Sequence, residues 1–137
     1  MSTKKKTRKS IKAPASSLIW FEIPADDPKR AQKFYGTLFG WKIAPHPASS
    51  GIEYWHLDTG GHDASPDGGM MARMYPTHTI TTYFNVPSVN RAVAKVKKLG
   101  GKIIRPRMPV PKMGYFAICK DTENNVFAVW EINPKAK

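Results

Sequence analysis

Sulfhydryl chemistry is nearly missing from this chain. Its one cysteine, Cys119, excludes an intrachain disulfide. Cys119 ends the apolar run that begins at Tyr115, and only the neighbouring Lys120 is a basic side chain close enough in sequence to activate it. We therefore predict a buried structural thiol rather than a reactive one.

Long apolar runs are absent as well. No stretch approaches the roughly 18 to 20 residues that a membrane-spanning helix needs. The N-terminus carries positive charges without the apolar segment of a secretory signal, so we expect a cytoplasmic protein with no membrane partner. A hydrophobic content of 41% in 137 residues is typical of one folded globular domain.

Acidic residues are few, ten against 22 lysines and arginines, which gives a formal net charge of +12. Half of this charge lies in residues 1–12, which hold no acid but contain Lys4, Lys5, Lys6, Arg8, Lys9 and Lys12. Residues 1–17 are polar and lack anything to bury, which predicts a disordered arm. Nucleic acid or another acidic partner could bind residues 4–12 electrostatically, and a tether or solubility tail is the alternative role.

Several common catalytic signatures are also missing. The Gly-Gly pairs at 60–61 and 68–69 do not open a helix, and no Gly-Lys-Ser/Thr follows them, so neither is a phosphate-binding loop. The sequence contains no Ser/His/Asp elbow and no zinc-type Cys/His spacing.

What the sequence does contain is one pattern that occurs twice. A strand at 18–23, an amphipathic helix ending at Gly40 and three short strands at 41–44, 52–58 and 70–74 form the first copy. The tetrapeptide FEIP at 21–24 is echoed by FNVP at 84–87, where a second helix begins after Ser88 and three strands follow at 103–107, 115–119 and 126–132. We predict an α+β domain over residues 18–134, made of two βαβββ modules at about 18–75 and 79–132.

Alternation along the two entry strands assigns their faces. Phe21 and Ile23 should pack under the first helix, which turns Trp20 and Glu22 to the opposite face. In the second module Thr81 and Tyr83 point away from the helix in the same way. The two modules could enclose a cleft between these faces.

Three stretches carry a resemblance to a known family: FEIPADDPKRAQKFYGTLFGWKI, FNVPSVNRAVAKVKKLGGKI and GYFAICKDTENNVFAVWE. Together they resemble the vicinal oxygen chelate superfamily, which includes glyoxalases, fosfomycin- and bleomycin-resistance proteins and extradiol dioxygenases. The resemblance covers residues 18–132 and implies curved mixed sheets around a cleft. In the turn at 121–125 the family usually has Gly where this chain has Asn124, and Asn is the next most tolerant residue for a left-handed backbone.

The resemblance also implies where metal ligands would lie. Family members that use a metal draw ligands from positions that correspond here to Trp20, Thr81 and Ala128. Indole and methyl groups offer no lone pair to a divalent cation, and a neutral hydroxyl is a poor ligand. We therefore expect no metal and no cofactor. The four histidines are interpreted as surface or hydrogen-bonded side chains: His46, His56, His62 and His78.

Site residues follow from the same faces. Glu22 is the candidate general base, with a buried ion pair or a solvated edge as the alternative, and Tyr83 is a candidate catalytic hydrogen-bond donor. An apolar, adaptable pocket is expected from the aromatic residues and from Met70, Met71 and Met74. The predicted ligand-binding residues are Trp20, Thr81, Tyr83, Tyr115, Ala128 and Trp130.

The sequence predicts a protein that binds a small, apolar or aromatic metabolite without the family's divalent metal. A metal-independent lyase, isomerase or related enzyme that uses Glu22 as base is the first alternative, and nucleic-acid binding by the basic arm is the second. Family members of this length often pair modules across a twofold axis, which implies a homodimer. Whether the cleft lies within one chain or between subunits stays open.

Overall fold

The protein has an α+β fold, seen in a computed structural model that describes residues 14–46 and 51–137. Its strands are β1 Leu18–Ala25, β2 Lys42–Pro45, β3 Tyr54–Asp58, β4 Gly68–Ala72, β5 Thr81–Asn85, β6 Lys102–Val110, β7 Gly114–Lys120 and β8 Val126–Ile132. The helices are α1 Pro28–Phe39 and α2 Val89–Lys98. The predicted order of two βαβββ modules is confirmed. The basic cluster at 4–12 lies outside the described residues.

The chain divides into two compact units. The first is Trp20–Thr82, and the second is Tyr83–Lys137 with the described residues up to Ile19. Strands of the first unit are ordered β2-β3-β4-β1, and those of the second β6-β7-β8-β5. In both units the last pair is parallel and the other pairs are antiparallel. The repeated sequence pattern therefore produces a repeated mixed sheet.

In the first unit α1 covers one face of the sheet. Asp27 caps the helix by accepting a hydrogen bond from the backbone N of Arg30 at 3.1 Å, and Pro28 occupies the first turn. Gly40 ends the helix with a left-handed φ of 73°. The buried core beneath it consists of Ile23, Ala25, Trp55, Leu57 and Met70.

The apolar stripe of α1 is wider than the face that the helix buries. Its 3.6-residue period places Ala31, Phe34, Tyr35, Leu38 and Phe39 on this stripe, and of these Ala31 and Tyr35 pack against the core. Phe34, Leu38 and Phe39 stay 60%, 57% and 57% exposed. The sequence pattern therefore does not separate core-facing residues of this helix from surface ones.

In the second unit α2 covers a core of Val89, Ala117, Cys119 and Val129. Ser88 is the N-cap, as predicted, because its Oγ accepts from the backbone N of Arg91 at 3.2 Å. Leu99, the C-cap residue of α2, lies one position past the last helical residue and is 66% exposed. Cys119 is fully buried, and burial raises the pKa of its thiol to about 11.

Two further local features concern the second unit. Asn124 has a φ of 69°, so it adopts the left-handed conformation for which asparagine was expected to suffice. Residues 14–17 lie beside β5, because the backbone N of Asn85 donates to the carbonyl of Ser17 at 2.9 Å.

Among the described residues, neither helix is long and apolar enough to cross a membrane.

Candidate functional site

The face of the first-unit sheet opposite α1 gathers aromatic and titratable side chains. Register explains this, because Gly69 on β4 pairs with Glu22 on one side and with His56 on the other. Side chains of paired residues point the same way, away from the core side of Phe21 and Ile23. We call this surface the Trp20 face and define it by Trp20, Glu22, His46, Tyr54, His56 and Asp67.

A chain of two hydrogen bonds crosses the Trp20 face. The indole Nε1 of Trp20 donates to Tyr54 Oη at 3.0 Å, and Tyr54 Oη donates to Glu22 Oε2 at 2.7 Å. Burial of the phenol, followed by the nearby Glu22 carboxylate, raises the pKa of Tyr54, so this hydroxyl stays protonated. The phenol therefore holds one carboxylate oxygen of Glu22 in a fixed position.

Gly69 makes this arrangement possible. A Cβ built on Gly69 would lie 1.9 Å from Tyr54 Oη and 2.2 Å from its Cζ. The ring of Tyr54 thus crosses β4 through the space that any other residue would fill. The requirement here is close approach, since the φ of Gly69 is not positive.

A second polar pair lies next to the first. His56 Nε2 lies 2.9 Å from Asp67 Oδ2, while Asp67 Oδ1 accepts from the backbone N of Thr59 at 3.0 Å. Partial burial alone would raise the pKa of Asp67, but hydrogen bonds from His56 and Thr59 lower that pKa below its ordinary value. Asp67 is therefore a carboxylate at neutral pH, and it orients the imidazole of His56.

Aromatic rings surround these polar atoms. The rings of Trp20 and His56 meet edge to face with centroids 5.5 Å apart, and His46 stacks parallel to His56 at 6.2 Å. Burial, then the proximity of His56, lowers the pKa of His46, which keeps it neutral at pH 7. The Trp20 face thus combines flat ring surfaces with fixed hydrogen-bonding atoms.

The second unit has its own aromatic face opposite α2. Tyr83 pairs in register with Ala128, and Phe116 pairs with Trp130. The rings of Tyr83 and Phe116 have centroids 6.3 Å apart. Tyr83 and Trp130 therefore share a face, as predicted, but Tyr83 and Ala128 are buried and offer little surface of their own.

Tyr115 does not lie on that face. It packs against the core beneath α2, and the guanidinium of Arg107 lies over its ring at 4.1 Å from the centroid. This corrects the expectation that Tyr115 lines an aromatic cleft together with Trp130. The physical reason is strand alternation: Phe116, the next residue of β7, takes the position on the other side of the sheet.

Comparison with known proteins identifies the family. The bleomycin resistance protein-like N-terminal family matches residues 17–51. A glyoxylase-like domain-containing protein of Didymella fabae is 33% identical over 112 residues, which make up 79% of this chain and 88% of that protein. The chain belongs to the glyoxalase and bleomycin-resistance superfamily.

Two more comparisons bear on this superfamily assignment. CFP32 of Mycobacterium bovis is 31% identical over 121 residues, 87% of this chain, which span 45% of the length of CFP32. A crystal structure of a glyoxalase/bleomycin resistance protein/dioxygenase superfamily member from Vibrio splendidus 12B01 has a TM-score of 0.62 at 11% identity and covers 87% of this chain and 100% of its own. At that identity the likeness concerns the fold alone.

The three positions that the superfamily resemblance assigns to metal ligands do not fit a divalent metal here. The indole N–H of Trp20 donates to Tyr54, and the hydroxyl of Thr81 donates to the carbonyl of Thr79 at 3.3 Å. Ala128 has no donor atom. No group of three or more His, Cys, Asp or Glu side chains among the described residues is arranged to hold a metal ion.

The remaining histidines have separate surroundings. His78 is buried, its Nδ1 accepts from the backbone N of Met74 at 3.2 Å, and its carbonyl accepts from Arg73. His62 lies exposed in the 3₁₀ turn His62–Ala64 between β3 and β4. His78 therefore matches the interpretation as a hydrogen-bonded side chain, and His62 that as a surface one.

Sequence reasoning named Trp20 and Glu22 as site candidates but not the residues that hold them. Tyr54, Asp67 and Gly69 were not site candidates, although the alternation of Tyr54 and His56 on one strand was a signal that both share a face. A second signal would be that Gly69 pairs with both Glu22 and His56, but that pairing depends on a strand register that the sequence alone does not reveal.

Proposed function

We propose that this superfamily member binds a small aromatic or apolar organic molecule on the Trp20 face, and that it does so without the superfamily's divalent metal. The hydrogen-bonded chain from Trp20 through Tyr54 to Glu22 supports this proposal most directly. Trp20 stands at one of the positions that the superfamily resemblance assigns to a metal ligand, and the hydrogen-bonded chain presents ring surfaces beside a carboxylate in fixed geometry. Such a combination of apolar area and few oriented polar groups is typical of small-molecule sites.

Binding would be tested by titrating tryptophan fluorescence with a panel of aromatic and electrophilic metabolites. We expect saturable quenching or enhancement in the wild type and a weaker response after Trp20→Phe. Trp41→Phe is the matched control, because Trp41 stacks on Tyr35 at 5.4 Å on the α1 side of the sheet. Equal loss of binding in both variants would contradict a site on the Trp20 face.

The metal-free part of the proposal has its own test. Protein purified without chelator would be examined by elemental analysis, and binding would be repeated after dialysis against a chelator. We expect no stoichiometric metal and unchanged affinity. Tightly bound zinc, nickel or iron that disappears in variants of His56, His62 or His78 would contradict it.

A metal-independent lyase or isomerase is the second candidate, and the contact between Tyr54 Oη and Glu22 Oε2 favours it. A carboxylate positioned by a hydrogen bond is the usual form of a general base. If Glu22 accepts a proton from a bound carbonyl compound, the wild type should exchange that proton with deuterium from the solvent, as followed by NMR. Glu22→Gln should abolish the exchange while the fluorescence titration still reports binding.

A further inference from the structure

We infer that His56, oriented by Asp67, is a second polar anchor of the Trp20 face and accepts the proton of a weakly acidic hydroxyl group on a planar ligand. This inference rests on the proposed function, because it names the chemical class of the ligand that the face takes. It adds a site on β3 and on the residue before β4, neither of which is among the sequence-predicted site residues.

The geometry of the pair selects the atom that meets the ligand. Nε2 of His56 is 2.9 Å from the Asp67 carboxylate, which accepts a hydrogen bond and so keeps the proton of a neutral imidazole on Nε2. The other ring nitrogen, Nδ1, then carries the lone pair. It has no hydrogen-bond partner within residues 14–46 and 51–137, and the His56 side chain is 37% exposed.

The surroundings favour a planar ligand. The rings of Trp20 and His56 meet edge to face with their centroids 5.5 Å apart, and the ring of His46 lies parallel to that of His56 with a centroid distance of 6.2 Å. Flat rings arranged in this way offer both stacking and edge-to-face contacts to a further ring. Because His46 is neutral at pH 7, it adds no positive charge beside an imidazolium formed at His56.

The proton transfer balances without any additional reactant. The ligand's O–H bond breaks, its electron pair stays on the oxygen, and an N–H bond forms at Nδ1 of His56. The product is an imidazolium between two anions, the ligand oxygen and Asp67. A carboxylate behind a histidine stabilises the imidazolium in this way without taking the proton itself.

Two probes of nearly equal shape test this inference, 4-nitrophenol and 4-nitroanisole, which replaces the hydroxyl by a methoxy group. Binding would be followed by tryptophan fluorescence, and ionisation of bound 4-nitrophenol by its visible phenolate absorbance. We expect the wild type to bind 4-nitrophenol about tenfold or more tightly than 4-nitroanisole, with a raised phenolate fraction, since a charge-assisted hydrogen bond is gained.

Variants assign the effect to His56. His56→Phe keeps a flat ring but removes the acceptor, so it should bind the two probes equally and lose the phenolate signal. Asp67→Asn should reduce the preference for 4-nitrophenol, and His62→Gln, in the exposed turn, should preserve it. Far-ultraviolet circular dichroism and retained 4-nitroanisole binding show that a variant is folded.

The outcomes separate the two proposals. If both probes bind the wild type equally, or if His56→Phe retains the preference and the phenolate signal, the role of His56 is overturned while a small-molecule site on the Trp20 face survives. If neither probe binds nor any aromatic compound in the wider panel, both proposals fail together.

Discussion

Tyr54 and Gly69 depend on each other at the scale of single residues. Gly69→Ala would place a methyl group 1.9 Å from Tyr54 Oη and force the ring off Glu22. We expect a loss of about 1–3 kcal/mol in the free energy of unfolding, measured by urea denaturation, because β4 cannot move without breaking its pairing on both sides. Fluorescence of Trp20 should change as well, since its hydrogen-bond acceptor is displaced.

A helical glycine supplies the control for this substitution. The nearest atom to a Cβ at Gly36 is the carbonyl oxygen of Trp41 at 3.7 Å, an ordinary contact. Gly36→Ala should therefore leave the stability unchanged or raise it by up to about 1 kcal/mol, through the better helix propensity of alanine. If Gly69→Ala is as stable as Gly36→Ala, Tyr54 does not need the space over β4.

Tyr54 also predicts a pH dependence. Burial and the Glu22 carboxylate raise the pKa of Tyr54 in the folded chain above its ordinary value of 10. Above about pH 10 the unfolded chain has lost this proton and the folded chain retains it, so the free energy of unfolding falls as the pH rises, by at most about 1.4 kcal/mol per pH unit. Below about pH 10 Tyr54 is protonated in both the folded and the unfolded chain, so it does not make the free energy of unfolding depend on pH.

Tyr54→Phe removes this contribution. We expect the free energies of unfolding of wild type and variant, measured in urea, to converge between about pH 10 and about pH 11.5. In that range the wild type loses the stability that the raised pKa of Tyr54 contributes, and the variant has no hydroxyl at this position to titrate. Cys119 titrates in the same range, and since both proteins contain it, their difference isolates Tyr54. Parallel pH curves would mean that Tyr54 titrates normally in the folded protein.

Single residues also set the limit of what the sequence could predict about the site. Strand alternation was enough to place Trp20 and Glu22 on one face, because it depends only on neighbours in the chain. The partner of Glu22 lies 32 residues away, and that of His56 lies 11 residues away. Those contacts follow from the register of β3 against β4, and a shift by one residue would turn Tyr54 into the core.

At the scale of elements, the N-caps of the two helices were predictable and can be tested. Asp26 and Asp27 both precede α1, and aspartate is a favoured N-cap residue at either position. The structure assigns the cap to Asp27, while Asp26 pairs with Arg73 at 2.8 Å. Asp27→Ala should lower the free energy of unfolding by about 1 kcal/mol in thermal or urea melts. Asp26→Ala should cost clearly less, because exposed ion pairs contribute little; the opposite order would reverse the assignment.

Strand ends were less predictable than strand existence. β6 was predicted to end at Arg107 but continues to Val110 through Pro106 and Pro109. Proline usually argues against a strand because it cannot donate a ladder hydrogen bond. β6 stands at the end of the strand order, so the backbone groups on its outer side need no hydrogen-bond donor. The sequence pattern of a strand does not reveal whether that strand lies at the edge of the sheet.

For the whole molecule, we predict a homodimer of about twice 15.3 kDa. Helix α1 exposes the apolar side chains of Phe34, Leu38 and Phe39, and a second copy of the chain could bury this apolar surface. Sedimentation equilibrium in moderate salt is the measurement, because low ionic strength would let the basic N-terminal residues mimic association. A monomer mass that does not change with concentration would contradict the dimer.

The basic N-terminal cluster gives another prediction at this scale. If residues 4–12 bind nucleic acid, the affinity should be weak and should fall steeply with salt, because clustered cations release phosphate counterions without reading sequence. Deleting residues 1–12 should flatten the salt dependence of DNA and RNA binding. An unchanged dependence after the deletion would assign any binding to the rest of the protein.

The buried thiol of Cys119 can report the opening of the second unit. The thiol is fully buried on β7 between Ile103 and Phe127, and its pKa is raised to about 11, so the native chain shields it from alkylating reagents. Modification by iodoacetamide should therefore wait for β7 to separate from its neighbours, and mass spectrometry of timed samples would give the free energy of that event. Val129→Ala, which weakens the same core, should accelerate labelling, whereas rapid labelling of the wild type would show that the core opens without unfolding.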